Sequence, residues 1–219
     1  MKKFMPFRYS FTNKANTMRK LIVSMNVTLD GYVAGPNCEL DWHFKSWTSE
    51  MADTLCEELG KADTILLGRV TFSAMARYWP SRMMDSRHPR EDILFAEMMN
   101  RYRKIVFSRT LATADWCNAK LLNGDLLREV ALLKKQPGKN IMIYGSRSVV
   151  AALMQARLID EYQMWVHPVA LGRGKPLLQN ADILQLRMWR TKTFSSGVVL
   201  CYYHATNLLS ADKWMRKPA

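Results

Sequence analysis

The chain has 219 residues, of which 48% are hydrophobic, and its net charge of +13 comes from 32 basic and 19 acidic residues. This length and this hydrophobic fraction allow one large domain or two small ones with a substantial core, and they exclude a chain that is disordered throughout. The positive charge is compatible with an anionic ligand, with nucleic acid, or with a surface that is basic only for solubility.

The cysteines and the hydrophobic runs narrow the class of protein further. Cys38, Cys56, Cys117 and Cys201 form no C-x-x-C pair and lie near no histidine at zinc-ligand spacing, so we expect no bound metal. No apolar run approaches the roughly 20 residues that span a bilayer. The first seventeen residues also lack the apolar core of a signal peptide. The sequence therefore predicts a cytoplasmic protein with reduced thiols and no membrane contact.

The two ends of the chain differ from its middle. Residues 1–17 contain four basic residues and no acidic one, which predicts a disordered basic leader or an extended start upstream of a beginning at Met18. Residues 207–219 close the chain with a second basic segment. We expect residues 18–206 to form a single domain between this leader and this C-terminal tail.

Strand and helix patterns alternate over the first three quarters of the chain. Apolar, β-branched runs predict strands at 20–27, 63–68, 104–108, 119–122, 140–144 and 161–167. Helical patterns occupy 48–59, 70–78, 91–102, 125–135 and 146–156. Thr48 or Ser49 is expected to cap the first helix, and Gly60 to end it. The segments 28–47 and 80–89 are expected to be loops.

The last part of the chain has a different pattern. Segments 184–193 and 198–204 alternate apolar and polar residues and meet at Ser195-Ser196-Gly197, which indicates a hairpin. The whole order of elements predicts an α/β fold with a mostly parallel central sheet, helices on both faces, and a C-terminal antiparallel hairpin.

Three predicted strands end in the same way, at a small or hydroxylated residue with an arginine beside it. The three ends are Gly68-Arg69 with Thr71, Ser108-Arg109, and Gly145-Ser146-Arg147-Ser148 followed by Val149. Ligands of open α/β sheets bind beyond the carboxyl ends of the strands. Glycine allows a phosphate to approach the main chain, a helix N-terminus supplies N–H groups, and arginine binds phosphate with two donors. Each end by itself is usually an ordinary turn or cap, but the joint occurrence of the three ends predicts one crevice for a ligand with several phosphates.

Residues 18 to 204 resemble the reductase domain of the riboflavin-biosynthesis deaminase/reductase proteins, which has the dihydrofolate reductase-like fold. The resemblance depends on five segments that follow one another in the same order, namely 28–36 (TLDGYVAGP), 67–72 (LGRVTF), 106–110 (VFSRT), 143–146 (IYGS), and 160–162 (DEY) continuing to 168–174 (PVALGRG). The chain is most similar to stand-alone, single-domain members of that family.

The resemblance implies an NADPH-dependent oxidoreductase. By motif position, Arg69 and Thr71 would bind cofactor phosphates, Ser108 and Arg109 would lie at the adenosine 2′-phosphate, and residues 145–149 would surround the pyrophosphate. Asn26 and Trp42 fall where the riboflavin reductases contact the nicotinamide half. The Asp30-Gly31 loop resembles a mobile flap that closes over the cofactor and excludes water.

Several features of the riboflavin enzymes are absent from the sequence. The H-x-E and P-C-x-x-C motifs of the zinc deaminase domain are missing, which argues against deamination. Met75 and Ile143 occupy the positions of a family aspartate and of a substrate-binding glutamate. An arginine that binds the ribose phosphate would fall at Arg82 by spacing, within a poorly matching segment. The cofactor features are thus retained while most substrate features are lost.

A proton donor is expected on the predicted helix 48–59. Folate reductases carry one carboxylate on the equivalent helix, and the candidates here are Glu50 and Asp53, which are three residues apart. A buried carboxyl group would have its pKa raised towards neutrality by desolvation. The alternative is that both acids only complement the dipole at the start of the helix.

Three functions remain open from the sequence. The first is an NADPH-dependent reductase of a small planar heterocycle, related to the aminouracil reductase of riboflavin biosynthesis or to dihydrofolate reductase. The second is a protein that binds NADPH without turnover. The third is a basic nucleic-acid-binding protein on the same fold, which the absence of any recognition motif disfavours. Relatives are commonly dimers, so we expect a homodimer that binds a small-molecule substrate.

Overall fold

The computed structural model describes residues 18–82, 90–178 and 184–206. Its strands are β1 (Leu21–Thr28), β2 (Tyr32–Ala34), β3 (Ala62–Gly68), β4 (Arg103–Phe107), β5 (Ala119–Leu122), β6 (Asn140–Tyr144), β7 (Glu161–His167), β8 (Lys175–Pro176), β9 (Leu186–Thr193) and β10 (Val199–Ala205). Its helices are α1 (Asp41–Phe44), α2 (Ser49–Gly60), α3 (Arg69–Arg82), α4 (Arg90–Arg101), α5 (Leu126–Lys135) and α6 (Arg147–Gln155).

Eight strands form the central sheet in the order β5-β4-β3-β6-β1-β7-β10-β9. Strands β5, β4, β3, β6, β1 and β7 run parallel to one another, whereas β10 is antiparallel to both β7 and β9. The predicted parallel sheet with a C-terminal antiparallel hairpin is therefore confirmed. The six parallel strands end at the same edge of the sheet, which we call the carboxyl edge.

Helices cover both faces of the sheet, as predicted. On one face, α5 and α6 pack through residues such as Val130 and Leu153 on strand residues that include Leu66 and Ile143. On the other face, α2, α3 and α4 pack on alternate strand residues such as Ile65 and Leu67. Because the central strands are buried on both sides, they read in sequence as continuous apolar runs rather than as alternating ones.

The structure differs from the predicted elements in a few places. The expected loop 28–47 contains β2 and the single turn α1, and β2 pairs with β8. Helix α3 continues past the predicted end at Tyr78 and includes Pro80. The carbonyl groups at this end of α3 are bound by side chains, since Ser81 Oγ donates to Tyr78 O and Asn100 Nδ2 donates to Trp79 O.

Two helix starts follow from local sequence. Thr48 caps α2 by accepting a hydrogen bond from the Met51 N–H, as one of the two expected cap residues. Asp125 caps α5 by accepting from the Leu127 and Arg128 N–H groups. The predicted leader 1–17, the tail 207–219 and the loop residues 83–89 lie outside the described residues. No helix among the described residues combines the length and the apolar content needed to cross a membrane.

Candidate functional site at the carboxyl edge

The three arginine-bearing segments follow neighbouring strands. Strand β3 lies between β4 and β6, and all three are parallel. Gly68 at the end of β3 is in register with Phe107 at the end of β4. With strands spaced by roughly 4.8 Å, the ends of β4 and β6 are about 10 Å apart. The structure therefore brings the turns that carry Arg69, Arg109 and Arg147 to one edge of the sheet.

The turn after β6 is joined to the turn after β3 by two hydrogen bonds. Ser146 Oγ accepts from the Gly68 N–H at 2.6 Å, and Thr71 Oγ1 accepts from the Ser146 N–H at 2.9 Å. Gly145 lies against Thr71 with a positive φ of 58°, and a Cβ built there would be 3.1 Å from Thr71 Oγ1. Four predicted site residues, Gly68, Thr71, Gly145 and Ser146, thus contact one another. The hydroxyl groups of Thr71 and Ser146 accept hydrogen bonds within the protein.

The N-terminus of α6 has no side-chain cap. Its cap residue, Ser146, is in the left-handed region at φ 59° and ψ 58°, and its side chain makes no hydrogen bond to the first turn because it binds Gly68 instead. Ser148 in this first turn is exposed and Val149 is buried. The first N–H groups of a helix have no intrahelical partner. Together with a left-handed residue at the turn, they form a concave site that is suited to an anion.

The turn after β4 is closed by Ser108. Its Oγ accepts from the N–H groups of Thr110 and Leu111 at 3.1 and 3.0 Å, while its own N–H donates to Leu122 O. Arg109 in this turn is exposed. The Ser108 hydroxyl therefore shapes the turn that presents Arg109.

Further along the same edge, a cluster of rings lies at the ends of β1 and β7. Asn26 of β1 and His167 of β7 are joined by a 3.0 Å hydrogen bond between Asn26 Oδ1 and His167 Nε2. Trp42 of α1 packs edge-on against His167 with ring centroids 5.2 Å apart. The His43 ring centroid lies 6.0 Å from that of His167 and 4.1 Å from that of Phe44, whose ring is tilted by 35° against it. We call Asn26, Trp42, His43 and His167 the ring cluster.

The ring cluster is neutral, and its Trp42 and His167 are buried whereas Asn26 and His43 are half-buried. His167 is fully buried, and burial together with the neighbouring His43 lowers the pKa of His167 to about 4. Burial also lowers the pKa of His43 below its ordinary value. Three ring nitrogens of the cluster, Trp42 Nε1, His43 Nδ1 and His167 Nδ1, are buried without a hydrogen-bond partner among residues 18–82, 90–178 and 184–206. Both histidines are therefore uncharged at neutral pH, and polar ring atoms remain to be satisfied.

The Asp30-Gly31 loop is tied to the segment after β7. The Asp30 carboxylate accepts from the Thr28 hydroxyl and from the N–H groups of Leu171 and Gly172, and these hydrogen bonds lower the pKa of Asp30. Gly31 has a φ of 85°, which the tight turn requires. The loop expected to act as a mobile flap is thus anchored at its Asp30 end.

The two expected proton donors are exposed. Glu50 and Asp53 lie on the solvent side of α2, and Glu50 forms an ion pair with Lys192 at 3.2 Å. The burial on which their predicted role depended is absent. The buried carboxylate of this helix is Glu58, which accepts hydrogen bonds from Gln163, Tyr202 and Lys61. Residue spacing alone selected two acids that lie on the outward face of α2. Spacing cannot show which face of the helix is buried, because that depends on how α2 packs on the sheet.

Arg82 lies at the far end of α3 from Arg69. Thirteen residues of α-helix separate the two, or about 20 Å, and the Arg82 guanidinium packs over the Tyr78 ring at 4.2 Å. The structure therefore does not bring Arg82 to the arginines at the carboxyl edge.

Sequence reasoning gave no role to the histidines, yet two of them lie in the ring cluster. A signal was present for His167, which is a polar residue at the end of an apolar strand, in the same position as the small residues that end β3 and β6. His43 carries no comparable signal, because it lies in a single turn within a segment expected to be a loop. Among the described residues, no three His, Cys, Asp or Glu side chains are close enough to share a metal ion.

The chain matches the family model of the RibD C-terminal domain over residues 19–200, so it belongs to this family. It is 37% identical over 187 residues to the uncharacterized protein YyaP of Bacillus subtilis (strain 168), covering 85% of this chain and 95% of that protein. The family resemblance inferred from the five segments is confirmed.

Solved structures have the same fold. A crystal structure from Shewanella sp. PV-4, named for riboflavin biosynthesis, has a TM-score of 0.66 at 20% identity and covers 86% of this chain and 99% of its own. The dihydrofolate reductase of Enterococcus faecalis, in complex with NADP(H), has a TM-score of 0.56 at 13% identity, covering 86% and 97%. The dihydrofolate reductase-like fold is thereby confirmed.

Proposed function

We propose that the protein is an NADPH-dependent reductase that acts on a small planar heterocycle. The proposal depends chiefly on the N-terminus of α6, which has no side-chain cap and lies on the carboxyl edge beside the turns that present Arg69 and Arg109. This arrangement offers main-chain N–H groups and guanidinium groups to a ligand with separate phosphates. Membership in the RibD C-terminal domain family and the NADP(H) complex of a protein with the same fold support this choice of ligand.

The proposed binding mode runs along the carboxyl edge from β4 to β7. Arg109 and Ser108 would bind the adenosine 2′-phosphate, Arg69 another cofactor phosphate, and residues 145–149 the pyrophosphate. The nicotinamide half would then lie near Asn26 and Trp42. Four strand spacings of roughly 4.8 Å separate β4 from β7, or about 19 Å. That span is long enough for an extended dinucleotide, and bound NADPH would supply the hydride.

The substrate proposal is restricted to the chemistry that the residues support. Ile143 is fully buried, and Met75 is partly buried against the core on the other face of the sheet. Neither position therefore offers a polar group to a ribosyl phosphate. The ring cluster at the other end of the edge carries no charge that would pair with a phosphate. We therefore propose a neutral planar heterocycle rather than the aminouracil ribosyl phosphate of riboflavin biosynthesis.

Cofactor binding is tested by isothermal titration with NADPH and NADH. We expect the wild-type protein to prefer NADPH, and Arg109→Ala to lose roughly tenfold in NADPH affinity with little change for NADH, because one charge-assisted phosphate contact is removed. Arg103→Ala is the matched control, since Arg103 begins the same strand at its other end and is exposed. Equal affinity for the two nucleotides, or no binding at millimolar concentration, would contradict the proposal.

A second candidate is a protein that binds NADPH without turnover. The exposure of Glu50 and Asp53 favours it, because neither is buried where it would act as an acid. The two candidates are separated by following NADPH oxidation by absorbance against pterins, aminouracils and small carbonyl compounds. Turnover of any of them supports the reductase, and tight NADPH binding with no oxidation across the panel supports the second candidate.

A further inference from the structure

The basic residues of the edge strand β9 all lie on one face of the sheet. The Arg190 guanidinium lies 5.0 Å from the centre of the Tyr202 ring, and Lys192 Nζ donates to a hydroxyl group of α2 at 3.0 Å. Arg187 is in register with His204, two residues after Tyr202 on β10, so it points to the same side. We call the side that carries Arg187, Arg190 and Lys192 the basic face; it is the side on which α2 packs.

The other face of the hairpin carries no charged side chain within residues 186–193 and 199–205. Residues that are directly opposite one another on antiparallel strands share a face, and the pairs here include Met188 with Tyr203 and Thr191 with Cys201. We call this side the uncharged face. Its side chains are Leu186, Met188, Thr191 and Thr193 of β9 and Val199, Cys201, Tyr203 and Ala205 of β10.

This side of the sheet becomes more exposed from β7 towards β9. On β7, Tyr162 and Met164 are 2% and 9% exposed, because they belong to the core that α5 and α6 cover. The side chains of β10 on the uncharged face are half-buried, and Met188 of β9 is 53% exposed. The described elements therefore leave the uncharged face open over β9, and a contiguous open face of this kind marks an interaction surface.

The outer edge of β9 is unsuited to pairing with another strand. The strand is irregular at Trp189, which lies between Met188, paired with Tyr203, and Arg190, paired with Tyr202. Irregularities and charged residues on an edge strand oppose the addition of a further strand. We therefore expect a partner to pack on the uncharged face and not to extend the sheet.

We propose that the uncharged face binds the same face of a second copy of the chain, so that two sheets pack face to face in a symmetric dimer. Each copy carries a net charge of +13, so two copies repel each other wherever their basic surfaces meet. The uncharged face allows contact without that repulsion, whereas an anionic partner would bind the basic face instead. The proposal assigns a surface to the homodimer expected from the sequence, and it is independent of the proposed function.

The geometry of the hairpin suits this contact. A twofold axis places the same surface of both copies against itself. Two sheets that pack in this way lie about 10 Å apart, with the side chains of the two inner faces interdigitated. Met188 and Tyr203, which are paired across the hairpin, would then lie between the two sheets.

Sedimentation velocity of the full chain at low and high micromolar concentration measures this association. We expect the 25.4 kDa chain to shift to twice its mass as the concentration rises. Met188→Lys and Thr191→Lys each place two like charges in the symmetric contact and should raise the dissociation constant of the dimer roughly hundredfold. Trp189→Lys is the matched control and should leave the dimer unchanged, because it adds the same charge to the same strand on the basic face, where Trp189 stacks on His204.

The cysteines give a second, independent measurement. Cys201 is half-buried on the uncharged face, whereas Cys38 and Cys117 are exposed in other parts of the molecule. At concentrations where the wild type is dimeric, the reaction of Cys201 with a maleimide should be several-fold slower than in Thr191→Lys. The reactions of Cys38 and Cys117 should be the same in both proteins, as quantified by mass spectrometry of the modified peptides.

Three results would overturn the proposal. The first is a wild-type chain that stays monomeric at every concentration. The second is a dimer with the same dissociation constant in the wild type and Thr191→Lys, which would mean that the copies associate through another surface. The third is a Cys201 thiol that reacts equally fast in the dimer and in the monomer. Thermal unfolding identifies a variant that does not fold, and Thr191→Lys decides the test if Met188→Lys is such a variant, because Thr191 is exposed.

Discussion

Gly145 occupies a position where both backbone conformation and space require glycine. Its φ is 58°, and an added Cβ would lie 3.1 and 3.2 Å from Thr71 Oγ1 and Cγ2. The Thr71 hydroxyl accepts from the neighbouring Ser146 N–H, so it cannot move away without breaking this bond. A side chain at this position would therefore disturb the hydrogen bonds that join the turns after β3 and β6.

Gly145→Ala is expected to lower the free energy of unfolding by about 1–2 kcal/mol, because an alanine in the left-handed region is strained and its Cβ crowds Thr71. Urea unfolding monitored by fluorescence measures this. Gly60→Ala is the matched control, since an added Cβ there meets nothing within 4 Å and the helical backbone favours alanine. Equal stability of Gly145→Ala and the wild type would show that the turn adapts to a side chain.

At the scale of a single helix, the C-terminus of α4 is bound by a buried lysine. Lys104 of β4 is fully buried, and its Nζ donates to the carbonyl groups of Met99 and Asn100 at 2.7 and 2.8 Å. The same Nζ lies 4.6 Å from the centre of the Trp116 ring. Burial lowers the pKa of Lys104 to about 8. The lysine thus binds the last carbonyl groups of the helix, and its burial disfavours the positive charge.

Lys104→Met is expected to lower the free energy of unfolding by about 2 kcal/mol at pH 7, because the buried carbonyl groups lose a donor. The wild-type protein should also gain stability as pH rises from about 8 towards 10.5, where the unfolded lysine holds a proton that the folded one has released. The variant lacks this gain, so the difference in unfolding free energy grows with pH. Lys120→Met, at an exposed lysine of β5, is the control and should be close to neutral. A difference that stays constant over this pH range would contradict the assignment.

Local sequence patterns were sufficient to predict most of the helices and strands. The long amphipathic helices and the buried strands were predicted within a few residues, because their periodicity is set by the sheet and helix geometry itself. Strands β2 and β8 were missed because they have three and two residues and exist through pairing with each other. The continuation of α3 past Pro80 was missed because side-chain donors from elsewhere, such as Asn100, bind its end.

At the scale of the whole molecule, the acid side of the stability profile depends on His167. Its folded pKa of about 4 lies below the ordinary value of 6.5, so between these values the unfolded chain binds a proton that the folded protein does not. The contribution of His167 to stability is therefore fully present above pH 6.5 and is lost as pH falls towards 4, by up to about 3 kcal/mol for a difference of 2.5 pH units. The lowered pKa of His43 acts in the same direction.

Unfolding free energies measured at pH 5 and pH 7 should differ less in His167→Gln than in the wild type. The contributions of Asp30 and Glu39, whose pKa values are lowered by hydrogen bonds from 3.8 and 4.5, are present above those values and are lost as pH falls below them, so they change little between pH 5 and pH 7. The same pH dependence in variant and wild type would show that His167 does not titrate with folding.

The amino-acid sequence by itself determined the order of strands and helices, the cap at the start of α2, and the three arginine-bearing strand ends, because each depends on residues that are near one another in the chain. The tertiary structure alone decided that β3 lies between β4 and β6 and that His167 meets Trp42. It also decided that Glu58, rather than Glu50 or Asp53, is the buried acid of α2. The physical reason is that burial and side-chain contact depend on which distant segments pack together, and no local pattern contains that information.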